Sequence, residues 1–316
     1  MKPSIHNAHL LLEHLSFGGL PQDAMAYIIA SAVREGTLTE SVWIVLPDER
    51  SSTAFVDTLH FWLDDETMAH HFPADESDCF QGVSPARHLP QQRLIALQHL
   101  YSSSQSILVS SVFGAMHRVH SPQTLSESTL ILEKDQCYEP NLIVEWLAHT
   151  GYLSTHRLEE EGHFKRNGDT LHLWPIGAQQ PFRLSFFDED LEAIHSFSNG
   201  QRLEHQTVSV LPAREAILLP INRKRFSQLS FSFMRQNGYG RDLRRQILSN
   251  FENGIWFPGA EDYLPFLTDL HLPTPKWLIV DPERSFPALE HWDKEITGRW
   301  ALRKKEHRPL VDPSLR

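Results

Sequence analysis

Apolar residues in the first part of the chain occur in two kinds of pattern. Helical spacing predicts helices over residues 24–34, 53–63 and 91–101. Short apolar runs predict buried strands over residues 41–46, 106–112 and 129–132. Residues 74–89 show no period and are predicted to form a loop. Helices that alternate with short apolar strands are typical of a parallel sheet covered on both faces.

Further helices are predicted on either side of a central region. Pro140 is well placed to begin a helix that ends at Gly151, because the first helical position does not need an N–H donor. After Pro212 the apolar spacing predicts two helices and a final strand, over residues 226–235, 242–251 and 277–280. The chain is therefore expected to be of mixed α and β structure throughout.

Residues 162–211 are predicted to form a compact β-meander. Its first turn contains Asn167-Gly168, the strongest short hairpin signal, because both central residues of a type I′ turn need positive φ. A hairpin closed at this point pairs Phe164 with Leu171 on one side of the sheet.

The next strand of the meander has the sequence FRLSFF, from Phe182 to Phe187. Alternate residues of a strand point to opposite faces, so Phe182, Leu184 and Phe186 are predicted to face the core. Arg183 and Phe187 then lie on the outer face, and arginine and aromatic residues are the types that anchor protein interfaces. The alternative is that Phe187 packs under a loop and Arg183 is a solvated charge.

Several stretches of the chain match a known pattern in order and spacing. In the meander they are Gly162, Phe164, Arg166, Gly168, Leu173-Trp174-Pro175 and the strand from Phe182 to Asp190. Outside it they are Ser84 to Leu100, Ser106 to Val119 and Phe257 to Leu267. In these residues the chain resembles the excision-repair protein UvrB and, more closely, the N-terminal UvrB-homology module of the bacterial transcription-repair coupling factors, the Mfd family.

The resemblance implies an α/β fold in which a degenerate P-loop-NTPase-like parallel-sheet domain is interrupted by a small α+β domain. The implied segments are 1–124 and 213–316 for the parallel-sheet domain and 125–212 for the inserted domain. In the family, the inserted domain binds UvrA and recruits it to RNA polymerase stalled at DNA damage. RNA polymerase and DNA are then contacted through other parts of a full-length protein.

The UvrA-contact positions of the family fall on Arg183 and Phe187, with basic residues on the preceding hairpin. Lys165 and Arg166 supply basic residues there. One arginine of the family pattern is replaced by Asn167, which is a departure in the hairpin half of the implied site.

The loop before the first helix has lost the residues that bind nucleotide. By the alignment with UvrB that the resemblance implies, Gly18 and Gly19 belong to the loop, Gln22 replaces the phosphate-binding lysine, and Asp23 replaces the Mg²⁺-binding hydroxyl. An aspartate repels a triphosphate, and Pro21 removes an N–H donor. We therefore expect a degenerate loop, with no cofactor and no ATPase activity in this segment.

Charge and composition exclude several other classes of protein. The net charge of −11 argues against a protein that holds DNA on its own, because such proteins derive most of their affinity from Lys and Arg on phosphates. No apolar run reaches the roughly 18 residues that a membrane span needs. Two isolated cysteines without metal-ligand spacing indicate a reducing cytoplasm and no metal site. No arrangement of residues is predicted to be catalytic.

An alternative hypothesis is that the chain is a nucleotide- or DNA-binding fragment of a helicase or translocase. Its candidate residues would be the basic clusters at 223–225 and 241–245, and the basic tail from Lys294 to Arg308. The first two clusters are interleaved with apolar residues and are typical of solvated helix faces. The tail is the better candidate for an electrostatic contact, or is simply a polar chain end.

Overall fold

The computed structural model describes residues 19–63, 68–74, 84–198, 201–271 and 275–305, without the side chains of residues 198, 300 and 303–305. The chain divides into two compact units. Unit 1 comprises Met1–Glu76, Ala96–His117 and Leu272–Glu295. Unit 2 comprises Ser77–Ile95, Arg118–His271 and Ile296–Arg316. Unit 2 thus contains the whole predicted segment 125–212 and part of the predicted segment 213–316. That these segments belong to separate domains stays a prediction.

Helices and strands alternate along the first part of the described chain, and seven consecutive strands over residues 153–210 are then followed by three α-helices, two strands and a last helix. The strands are β1 (Val42–Leu46), β2 (Ala69–His71), β3 (Ile107–Ser111), β4 (Val119–His120), β5 (Leu130–Glu133), β6 (Leu153–Ser154), β7 (His163–Asn167), β8 (Thr170–Trp174), β9 (Phe182–Phe187), β10 (Asp190–Ser198), β11 (Gln201–His205), β12 (Thr207–Val210), β13 (Leu270–His271) and β14 (Lys276–Ile279). The helices are α1 (Gln22–Arg34), α2 (Glu49–Trp62), α3 (His88–Ser102), α4 (Val112–Ala115), α5 (Pro122–Glu127), α6 (Pro140–His149), α7 (Pro220–Gln236), α8 (Arg241–Glu252), α9 (Leu264–Leu267) and α10 (Pro282–Lys305).

Unit 1 is built on a parallel sheet with the strand order β14-β1-β3-β2. Every residue of β1 and β3 is buried, including Ser110 and Ser111 at the end of β3, as is typical of inner strands in a parallel sheet. Helices α1 and α2 contribute Ile29, Phe55 and Leu59 to the core that contains the β1 and β3 side chains. The predicted parallel sheet is therefore confirmed, as are its helices and the strand at residues 277–280.

The strand predicted at residues 129–132 does not belong to this parallel sheet. It forms β5, which pairs antiparallel with β12 in unit 2. The physical reason is that β5 has only one buried face: Leu132 is fully buried, whereas Ile131 is 58% exposed. Such a strand suits a sheet with one solvated face, whereas an inner strand of a parallel sheet must be covered on both. The position of strand β2 in the parallel sheet was not predicted, because its sequence Ala-His-His lacks an apolar run.

Unit 2 contains a six-stranded sheet with the order β11-β10-β9-β8-β7-β6. Its neighbours are antiparallel from β7 to β11, and β6 runs parallel to β7. The predicted meander is thus confirmed. The predicted loop at residues 74–89 is described only in part, since residues 75–83 lie outside the described ranges and α3 begins at His88.

The register of the first hairpin differs from the prediction by two residues. Phe164 lies opposite Leu173, and Asn167 lies opposite Thr170, so the turn consists of Gly168 and Asp169. Gly168 has a positive φ of 55°, which glycine adopts without strain. The Thr170 hydroxyl donates to the Asn167 carbonyl at 2.9 Å and closes the turn in this register. A shift by two residues leaves every side chain on its predicted face.

A second part of unit 2 is helical and carries its own core. Helices α7 and α8 pack on each other through Phe226 and Phe251, whose ring centroids are 3.9 Å apart. Tyr263 and Phe266 complete this aromatic cluster. The helices predicted at residues 226–235 and 242–251 are confirmed as parts of α7 and α8.

One buried ion pair ties helix α3 to the segment after β12 within unit 2. Arg93 is 2% exposed, and its Nε donates to Oε1 of Glu215 at 2.8 Å. Its Nη2 donates to Oε2 of the same carboxylate at 2.5 Å, which completes a bidentate pair. None of the described helices has the length and apolar composition that crossing a membrane requires.

Candidate protein-binding face of the six-stranded sheet

Strand β9 has one buried face and one exposed face, as its alternation predicts. Leu184 is fully buried and Phe186 is 6% exposed, whereas Phe187 is 70% exposed. Arg183 is exposed on the same face as Phe187. The alternative that Phe187 packs under a loop is therefore wrong. We call the side of the sheet that carries Arg183 and Phe187 the outer face.

Cross-strand pairing places a row of ionisable side chains on the outer face. Lys165 of β7 lies opposite His172 of β8, and His172 lies opposite Arg183 of β9. The row continues to His195 of β10 and ends at Glu204 of β11. Directly opposed residues have Cβ atoms about 5 Å apart, so each side chain of the row interacts electrostatically with its neighbours. Sequence analysis identified only Lys165 and Arg183 of this row.

The electrostatics of the row are set by its cations. Burial lowers the pKa of His172, and the flanking charges of Arg183 and Lys165 lower it further. Burial and the nearby Arg202 guanidinium lower the pKa of His195, whose Nε2 accepts a hydrogen bond from Arg202. Both imidazoles are thus held neutral near pH 7, and the positive charge of the row resides on Lys165 and Arg183.

A β-bulge in β10 is what places His195 beside Arg183. Leu191 lies opposite Phe186 on the buried face, and Ala193 lies opposite Ser185 on the outer face, so the register shifts between them. In a regular strand residues 191, 193 and 195 would share one face. The bulge turns the rest of the strand over, which buries Ile194 and brings His195 to the outer face.

The turn that follows Phe187 is braced by a neighbouring segment. The turn residue Asp188 has a positive φ of 56°, and Phe187 lies opposite Asp190. The N–H of Tyr138 donates to the Glu189 carbonyl at 2.7 Å, and Cys137 forms a β-bridge with Asp190. These contacts fix the backbone at the end of β9, so the exposed Phe187 side chain is presented by a rigid element.

A shallow cavity adjoins the cation row on the outer face. Its volume is about 280 Å³, and it is lined by His156, Leu158, Lys165, Asn167, His172 and Pro181. The lining combines a cation, an amide and apolar side chains, which is a composition suited to a side chain of a protein partner.

Arg166 lies on the opposite face from the other predicted contact residues. It is paired with Leu171, whose side chain is buried against Leu184. The Arg166 guanidinium donates to Oδ1 of Asn141 in α6 and, through Nε, to the Gly168 carbonyl at 3.3 Å. The structure therefore brings Lys165, Arg183 and Phe187 together on one face and leaves Arg166 on the other.

The predicted degenerate loop is described only from Gly19 onward, and Gly18 lies outside the described residues. Gly19 has a positive φ of 79°, and helix α1 begins at Gln22 after Pro21. Asp23 is exposed in the first turn of that helix. The first turn of this helix thus carries an exposed carboxylate, which would repel a phosphate at the helix N-terminus.

Comparison with known proteins places the outer face within a recognised domain. The UvrB interaction domain family matches residues 130–215, which include β7, β8, β9 and β10. The chain is 27% identical over 321 residues to the transcription-repair-coupling factor of Haemophilus influenzae, which covers 98% of this chain and 27% of that protein. It is 26% identical over 177 residues to that of Escherichia coli, which covers 55% of this chain and 15% of that protein.

A relative of a second kind is the UvrABC system protein B of Legionella pneumophila strain Lens. The chain is 25% identical to it over 231 residues, which cover 62% of this chain and 35% of that protein. The chain thus spans about a quarter of the Haemophilus coupling factor and about a third of this UvrB protein. These matches confirm the resemblance to the UvrB-homology module of the coupling factors and to nucleotide excision repair proteins.

Proposed function

We propose that this relative of the transcription-repair coupling factors is a non-catalytic adaptor that binds UvrA through the outer face of its six-stranded sheet. By this proposal it recruits UvrA to RNA polymerase stalled at DNA damage. The observation that carries the proposal is the exposure of Phe187 on the same sheet face as Arg183 and Lys165, within the residues that match the UvrB interaction domain. Contacts with RNA polymerase and with DNA would be made by other parts of a full-length protein.

The chemistry of the outer face defines the partner surface that it fits. Lys165 and Arg183 require acidic groups opposite them, and the neutral imidazole of His172 can form hydrogen bonds without adding repulsion. His195 is only 4% exposed and supports the row from beneath. Phe187 requires an apolar pocket about 13 Å from Arg183, the length of four strand residues. An aromatic anchor with a nearby arginine is the combination that dominates many protein interfaces.

Two neighbouring residues of β7 test which face binds UvrA. Lys165→Glu and Arg166→Glu change the net charge equally, but Lys165 is on the outer face and Arg166 is on the face of α6. We expect Lys165→Glu to weaken UvrA binding at least about tenfold, because it places a carboxylate where the partner presents acidic groups. Arg166→Glu should leave the affinity within about twofold. Calorimetric titration of each variant with purified UvrA measures both.

The outcomes of this paired test are distinct. Equal weakening by both substitutions would contradict the assignment to one face, since it would reflect net charge alone. If both variants bind UvrA as tightly as wild type, the hairpin is not part of the interface. Binding by neither wild type nor variant would overturn the UvrA proposal itself.

We further propose that the loop at Gly19 to Asp23 is a nonfunctional P-loop in a parallel-sheet unit of P-loop-NTPase type. What supports this is the carboxylate of Asp23 in the first turn of α1 and the absence of a lysine at Gln22. A helix N-terminus attracts negative groups, and here the carboxylate of Asp23 is the negative group in place of a phosphate.

The chain is accordingly expected to neither bind nor hydrolyse ATP. Calorimetry with Mg-ATP at about millimolar concentration should give no saturable heat. A dissociation constant below roughly 100 μM, about −5.5 kcal/mol, would contradict the degenerate loop and favour the nucleotide-binding alternative.

A further inference from the structure

Helices α7 and α8 are strongly basic in a protein that is acidic overall. Between residues 220 and 252 the chain has seven cationic and two acidic side chains, a local charge of +5 against −11 for the whole chain. The cations are Arg223, Lys224, Arg225, Arg235, Arg241, Arg244 and Arg245, and the acids are Asp242 and Glu252. A local concentration of one sign of charge raises the concentration of oppositely charged ligands beside it.

Part of this charge lines a cavity between the two helices. The cavity has a volume of about 540 Å³ and is lined by Phe231, Arg241, Arg244, Arg245, Leu248, Ser249 and Glu252. Ile247 and Phe251, on the other side of α8, are buried in the aromatic core and hold the helix in place. Arg244 and Arg245 lie three and four residues after Arg241 on the helix, so both are neighbours of Arg241 on the face that lines the cavity.

The cavity holds three arginines and one carboxylate, that of Glu252, and the arginines are in excess. Arg225 pairs with Asp269, but Arg241, Arg244 and Arg245 form no ion pair within the described part of the chain. The Nε of Arg244 is out of contact with solvent and has no hydrogen-bond partner among the described residues. Phe231, which lines the same cavity, is 51% exposed. The cavity therefore presents unpaired guanidinium donors beside an accessible aromatic ring.

We propose that this cavity binds single-stranded nucleic acid, with the three arginines on consecutive phosphates and Phe231 stacked on a base. Guanidinium groups match phosphate geometry, and sequence-independent binding of single strands combines such cations with aromatic stacking. A duplex presents its phosphates but keeps its bases stacked inside, and an acidic peptide has no base for Phe231. The cavity volume lies within the range of small-ligand sites, which admits a nucleotide. This site is separate from the outer face and does not rest on UvrA binding.

The net charge of −11 predicts that this binding is weak and depends on salt. We expect oligothymidylate of about 20 nucleotides, labelled with fluorescein, to bind with a dissociation constant in the micromolar range at about 50 mM salt. Three phosphate contacts on a single strand should give a slope of about −2 when the logarithm of affinity is plotted against the logarithm of salt concentration. Fluorescence anisotropy measures both values.

Two variants test the two chemical parts of the site. The double substitution Arg241→Gln and Arg245→Gln should weaken binding at least about tenfold and reduce the salt slope by about 1.4. The charge-matched control, Arg50→Gln with Arg157→Gln, changes two exposed arginines outside the cavity and should leave the slope unchanged. Phe231→Ala should weaken the single strand about fivefold or more and leave duplex binding within about twofold. Urea denaturation establishes that each variant is folded.

Several results would overturn the proposal. Equal weakening by the cavity variant and its control would show that net charge alone attracts the oligonucleotide. If a folded Phe231→Ala variant binds the single strand as tightly as wild type, no base stacks on Phe231. Competition by poly-glutamate as effective as by the oligonucleotide at equal charge would identify a surface for acidic proteins instead. If the wild-type protein does not bind the oligonucleotide at low salt, the cavity is not a nucleic-acid site.

Discussion

Replacing Arg183 by glutamate is expected to weaken UvrA binding by at least about 2 kcal/mol, or roughly 30-fold, while the chain stays folded. The substitution removes a cation from the centre of the outer-face row and places a carboxylate between His172 and His195. A partner surface complementary to Lys165 and Arg183 is acidic, so the new charge is repelled as well as unpaired. Calorimetric titration with UvrA measures the loss.

The fold should tolerate this change because Arg183 is exposed on the face opposite the core. Exposed substitutions usually alter the free energy of unfolding by no more than about 0.5 kcal/mol, so Tm should be nearly unchanged. Phe187→Ala should likewise weaken binding and spare the fold. Phe186→Ala, one residue earlier on the buried face, should lower the free energy of unfolding by about 3 kcal/mol or more through a cavity. Folded outer-face variants that bind UvrA at full strength would disprove the site.

Replacing Glu215 by glutamine is expected to destabilise the chain by about 3 kcal/mol or more. The carboxylate accepts two hydrogen bonds from the buried Arg93, at 2.8 Å and 2.5 Å. A glutamine of the same size offers only one acceptor oxygen and no charge, so the buried guanidinium loses its opposite charge and one of these two hydrogen bonds. Urea denaturation followed by circular dichroism measures the loss as a lower transition midpoint.

A matched control for this prediction is Glu204→Gln. Glu204 also forms an ion pair, in which Lys134 Nζ lies 2.7 Å from Oε1, but its side chain is 55% exposed. Water solvates either partner of an exposed pair once the other is removed, so the transition midpoint should hardly change. Equal shifts for both substitutions would show that burial of the Arg93–Glu215 pair does not determine its contribution.

The sequence was a good guide where one local pattern decided the outcome. Short apolar runs predicted β1 and β3 as buried strands, because a strand covered on both faces is made mostly of apolar side chains. The two-residue alternation of β9 predicted that Phe186 is buried and Phe187 exposed. Both outcomes depend on the side-chain direction of a single element, which the residue order fixes.

Pairing between elements was harder to predict. The segment at residues 129–132 was expected in the parallel sheet, because a short apolar run does not indicate its partner strand. Its partner β12 is more than 70 residues away in the sequence and lies antiparallel to it. The turn of the first hairpin lies one residue later than predicted, which shifts the strand register by two, since Asn167-Gly168 and Gly168-Asp169 are both acceptable turn sequences.

The sequence by itself determined that Arg183 and Phe187 share an exposed face, and that helix α1 begins with Gln22 and Asp23, which supply neither a lysine nor a hydroxyl. Alternation along β7 already put Lys165 and Arg166 on opposite faces, but only the tertiary structure joined Lys165 to Arg183 through His172. Local order fixes the direction of a side chain relative to its own strand. The neighbour across the sheet depends on register and on the bulge in β10, which are set by the packing of the whole sheet.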